Sequence, residues 1–75
     1  AASGVVLEYE PDRWPRRDQG CIIELRDGRR LARLYHGADE TTLYLRGGPD
    51  GFESEQTMRR EEMQSISAVI ARLDA

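Results

Sequence analysis

The sequence predicts a mainly β domain, a small meander or partly open barrel of about five strands with a short helical turn before the last. Three observations carry that prediction. Residues 21–26 (CIIELR) alternate between apolar and polar, the period of a half-buried strand. Asp27-Gly28 follows at once. Asp-Gly between alternating runs is a strong hairpin signal, because a type I′ turn needs positive φ at both central positions. A second turn over residues 36–41, carrying Gly37 and Asp39, leads into a further apolar alternation at Leu43 and Leu45.

With Asp27 and Gly28 as central turn residues, Leu25 pairs with Arg30, Ile23 with Ala32 and Cys21 with Leu34. The second turn then sets Leu34 near Leu43 and Ala32 near Leu45. One buried face follows, made of Cys21, Ile23, Leu25, Ala32, Leu34, Leu43 and Leu45. These strands fall near residues 21–26, 30–36 and 41–46. Residues 5–10 (VVLEYE) also alternate and end at Pro11, which gives a first, half-exposed strand. Residues 11–20 hold two prolines, a glycine and five charges and read as a loop. Trp14, the only tryptophan, sits in that loop, either as an anchor folded over the core edge or as a partner contact.

After the meander, residues 47–51 (GGPDG) break the pattern. Residues 52–56 have the makings of a short edge strand with Phe52 buried. Residues 58–64 (MRREEMQ) contain good helix formers, with Thr57 as an N-cap. The last run, residues 65–73 (SISAVIARL), fits either period: Met63, Ile66, Ile70 and Leu73 share a helical face, while Ile66, Ala68 and Ile70 alternate as in a strand. Pattern alone leans to helix here.

At 75 residues the chain makes one domain, 1–75, near the lower limit for a self-sufficient core. One cysteine and one histidine leave neither disulfides nor metal as a staple, so oligomerisation is the remaining common remedy. No apolar run reaches a membrane span and no stretch resembles a signal peptide, which with the single cysteine points to the cytoplasm. The net charge of −3 argues against nucleic-acid binding by bulk electrostatics. All eleven basic residues are arginine. Without a lysine, Schiff-base, phosphate-loop and lysine-base chemistry are excluded from these residues.

The reactive inventory is thin. His36 lacks Cys or carboxylate neighbours at ligand spacing, and Cys21 lies on the predicted buried face. The pairs Glu61-Glu62 and Glu53/Glu55 read as solvated faces, and no serine has the context of a nucleophile elbow. The residues therefore predict no catalytic site, no cofactor and no metal.

In order, the pieces resemble the C-terminal domain of LexA-like and phage-repressor regulators, a self-cleaving serine–lysine family whose fold is shared with signal peptidase. Gly4-Val5-Val6-Leu7 running to Pro11 resembles the family's Gly-Asp-apolar strand, and the stretch from Pro15 to Ile23 resembles its loop before the next strand. Asp27-Gly28 through Leu34 is similar to a hairpin ending in Val-Lys-Arg-Leu. Leu43-Tyr44-Leu45-Arg46, then Pro49-Asp50, resembles an apolar strand followed by Asn-Pro. Residues 65–73 match the family's last strand, which tips the ambiguous run from helix to strand after a helical turn at 58–64. Two departures stand out. The family's catalytic lysine precedes Arg-Leu, and here Ala32 precedes Arg33-Leu34. The family's nucleophile lies in a Ser-Met segment upstream of the first strand, whereas Ser3 is too close to that strand and Gly4 follows it.

The resemblance implies a non-catalytic regulatory and oligomerisation domain of a repressor-like transcriptional regulator, a pseudoenzyme relative to its family. In the family this domain holds dimers together. Here the last run is apolar on more than one face, so that two copies pairing it about a two-fold axis would cover an otherwise bare edge in a homodimer with Ile66, Val69, Ile70 and Leu73 at the interface. DNA would be contacted only through a separate N-terminal helix-turn-helix domain, and no membrane is involved. The alternative, from another class, is a free-standing SH3-like or Sm-like barrel that binds a peptide or protein through Trp14, Tyr9, Tyr35 and Tyr44.

Overall fold

The structure, a computed structural model, describes residues 5–49, 51 and 53–74. Its strands are β1 (Val5–Glu10), β2 (Gly20–Leu25), β3 (Arg30–Ala38), β4 (Thr42–Arg46), β5 (Glu55–Arg59) and β6 (Met63–Asp74). A single 3-10 turn, Arg60–Glu62, precedes β6. All six strands join one antiparallel sheet in the order β1-β6-β2-β3-β4-β5. The mainly β class, the open meander and the helical turn before the last strand are as expected. Strands number six rather than about five.

The β2–β3 hairpin forms where expected but one residue out of the expected register. Ile23 faces Leu31, Ile22 faces Ala32 and Cys21 faces Arg33. The reason is the turn. Gly28 N–H donates to the Leu25 carbonyl at 2.9 Å, and Leu25 N–H donates to the Arg29 carbonyl at 2.8 Å. Positive φ is confined to Gly28, at 93°, and Asp27 does not share it. This is a three-residue loop closed by a left-handed glycine, not a two-residue type I′ turn. Asp27 instead accepts the Arg29 backbone N–H at 3.0 Å and its Nε at 2.8 Å.

Because side chains alternate, the one-residue slip moves β3's inward set. Leu31 packs against the core and Tyr35 is buried, while Ala32 and Leu34 leave the predicted buried face. The rest of that face holds. Cys21, Ile23, Leu25, Leu43 and Leu45 are buried together with Ile66, and Met58 and Met63 pack against them.

The predicted helix over residues 58–64 shrinks to the three-residue 3-10 turn. Met58 and Arg59 belong to β5, where Met58 pairs with Leu43, and Met63 and Gln64 belong to β6. Seven helix formers make a marginal helix by themselves. Two methionines that reach the core only from extended backbone outweigh that propensity. Thr57 caps nothing and sits in β5, opposite Tyr44. Phe52 lies outside the described residues.

β6 is the long element that organises the sheet. Its first half, from Met63 to Ala68, pairs with β2, and its second half, from Ala68 to Asp74, pairs with β1. The last strand is thus flanked rather than left as a bare edge, and the sheet edges are β1 and β5. The β2–β3 turn docks on the 3-10 turn, with Arg26 Nε donating to the Glu61 carbonyl at 2.6 Å.

Candidate functional site

A groove opens where β6 parts from β2. Strand pairing on that side of β6 ends at Ala68, and beyond it Gln19 Nε2 donates to the Val69 carbonyl at 3.0 Å. The groove has a volume of about 440 Å³. Leu7, Ala32, Leu34 and Val69 supply its apolar lining, and Arg33, Arg46 and Arg72 supply its charge. Its side chains come from five strands, and no Asp or Glu lines it among the described residues.

Arg33 and Arg46 are held differently. The Arg33 guanidinium donates through Nε to Gln56 Oε1 at 3.1 Å and through Nη1 to the Ala32 carbonyl at 2.8 Å. It lies so close to Gly48 that a Cβ there would sit 2.8 Å from Arg33 Cζ. Gly48 also has φ of +103°, and this left-handed backbone calls for glycine, since the Arg33 tip can shift aside. The Gln56 amide in turn donates to the Gly47 carbonyl, tying β5 to this corner. Arg46 reaches Glu55 with Nη2 at 3.7 Å, while its Nε is buried without a hydrogen-bond partner among the described residues.

Ala32, at the position where the resemblance expects lysine, is exposed and lines this groove. A methyl group there can neither hold nor accept a proton. Cys21 also lines the groove but is fully buried, and burial pushes its thiol up to about 11, so it stays protonated at neutral pH. Ser67 is buried and its Oγ accepts the Asp12 backbone N–H at 3.3 Å. Among the described residues no three His, Cys, Asp or Glu side chains gather in a way that would hold a metal. His36 lies apart, at the irregularity between β3 and β4, with its Nδ1 buried and unpartnered among the described residues.

Trp14 is an anchor. Its Nε1 donates to the Tyr35 hydroxyl at 3.0 Å and the two rings meet edge to face at 6.1 Å. The Arg60 guanidinium stands 5.1 Å from the Trp14 ring centroid and donates to the Asp39 carbonyl at 2.9 Å. Tyr44 donates to Asp39 Oδ2 at 2.6 Å, and Tyr9 pairs with Val69 from β1. The four aromatic residues therefore do not line one groove.

The expected interface residues separate by depth. Ile66 is in the core and Val69 is half-buried against the groove, whereas Ile70 and Leu73 are each about half exposed. Leu73 faces Val6 directly across the β1–β6 pairing, and Val6 is 54% exposed. Ile70 falls at a bulge, skipped between the pairs Glu8–Ala71 and Tyr9–Val69. Val6 and Leu73 thus form an exposed apolar pair on the ribbon that β1 and β6 make, and Ile70 is a further exposed apolar residue of β6.

No family model matches the chain, and no curated protein or solved structure matches it. Sequence reasoning missed Arg46, Arg72 and Leu7 as groove residues because they are far apart in the chain. Only the register and the crossing of β6 bring them together.

Proposed function

We propose that the chain is the non-catalytic regulatory and oligomerisation domain of a repressor-like transcriptional regulator, with DNA contacted by a separate helix-turn-helix segment. The observation that carries this reading is the exposed Val6–Leu73 pair. Exposed apolar side chains that adjoin one another favour a protein contact, and a two-fold pairing covers the same patch on both copies. The missing chemistry agrees with a structural role. Ala32 stands open on the groove where a lysine would be needed, and the single thiol is buried.

The reading is tested by fusing the chain to a DNA-binding module that represses only as a dimer. Repression is expected with the wild-type chain and its loss with Leu73→Asp. Repression that is absent with the wild type, or unchanged by Leu73→Asp, argues against it. The alternative of an aromatic-lined peptide-binding barrel has less support, since Trp14 and Tyr35 are engaged with each other while Tyr9 and Tyr44 lie elsewhere.

A further inference from the structure

The groove is a better ligand site than a scar of lost chemistry. Its floor is hydrocarbon, from Leu7, Ala32, Leu34 and Val69. Its charge comes from guanidinium groups alone, with no carboxylate in the lining of the described residues, in a chain whose net charge is −3. The Arg46 side chain lines the groove about a third exposed, and its Nη2 makes a long ion pair, 3.7 Å to Glu55. Arg33 is pre-positioned, with Gln56 and the Ala32 carbonyl fixing its guanidinium at the mouth beside Gly48. A volume of about 440 Å³ lies in the range of small-molecule sites, which are mostly apolar with a few placed polar groups.

We infer that this groove binds a small apolar carboxylic acid, its hydrocarbon body along Leu34 and Val69 and its carboxylate accepting hydrogen bonds from Arg46 at the rim. The two halves of the groove select the two halves of the ligand. Planar guanidinium matches a carboxylate in a fork geometry that an alcohol cannot use. Bare inorganic anions gain nothing from the apolar floor, and a polyanion meets a chain of its own sign. This inference does not depend on the oligomeric state, because the groove lies inside one copy.

Decanoate serves as the probe, with decanol, acetate and a short acidic peptide as comparisons, titrated into the whole chain by calorimetry and by amide NMR. Decanoate is expected to bind saturably and to shift the amides of Leu7, Ala32, Leu34 and Val69. Decanol and acetate are each expected to bind at least tenfold more weakly. Arg46→Met should weaken decanoate about tenfold. Ala32→Trp should fill the groove and abolish binding without moving the urea midpoint, since residue 32 is exposed. Equal binding of decanol and decanoate, shifts confined to other residues, or no saturable binding would each overturn the inference. Binding of the acidic peptide in place of decanoate would overturn it too, in favour of a docking groove for a protein segment. The wild-type shift map stands as a test even if a variant fails to fold.

Discussion

Gly48 and Cys21 show most directly how single residues set the local physics. Gly48 has φ of +103° and faces the Arg33 guanidinium, whereas Gly37 has neither a positive φ nor a neighbour within 4 Å of an added Cβ. Gly48→Ala should therefore cost about 1–2 kcal/mol and Gly37→Ala within about 0.5 kcal/mol, read from urea midpoints. Equal midpoints would contradict the left-handed backbone at Gly48. Among the described residues Cys21 is the buried titratable group with a large shift, up to about 11 against an ordinary 9.0, caused first by desolvation. The folded state then binds the thiol proton more tightly than the unfolded state does. Stability is fully present below about pH 9 and falls as pH rises toward 11, by on the order of 2 kcal/mol. Since tyrosines titrate in the same range, the check is the difference between wild type and Cys21→Ala. The alanine variant should lack this component, and parallel curves would contradict it.

At the scale of elements, the legible parts were those whose pattern is local. Cys21, Ile23 and Leu25 read as one buried face from alternation alone, as did Leu43 and Leu45, and all five are buried. Ala32 and Leu34 were misplaced because register depends on a turn whose loop length two letters do not fix. One further residue in the loop sends alternate side chains of β3 to the other face. The helix over residues 58–64 was misread because propensity is local, whereas the pull of Met58 and Met63 toward the core is not. The groove was illegible for the same reason, since Leu7, Ala32, Arg46 and Arg72 meet only through sheet order. A substitution pair separates the two registers. Ala32→Glu should be nearly neutral, within about 0.5 kcal/mol, while Leu31→Glu should cost about 2 kcal/mol or more by placing a carboxylate against the core. The opposite ranking in urea would restore the two-residue turn.

For the whole molecule, the outer strands of the sheet among the described residues are β1 and β5, and the exposed Val6–Leu73 pair lies at the β1 side. Among the described residues no helix is long and apolar enough to cross a membrane. The proposal of a non-catalytic domain predicts that alkaline incubation leaves the chain intact. Specific fragments accumulating with time in protease-free buffer, seen by mass spectrometry, would reverse it. Assembly is the central claim. Val6, Ile70 and Leu73 are each about half exposed, so covering each offers roughly 1 kcal/mol, and two copies together offer six such contributions before the cost of association. The dimer is expected to be weak, visible at high micromolar protein. Sedimentation equilibrium of the wild-type chain beside Leu73→Asp and Glu61→Ala tests this most directly. A self-associating wild type, a monomeric Leu73→Asp and an unaffected Glu61→Ala are predicted, and a wild-type monomer at high micromolar concentration would contradict the account.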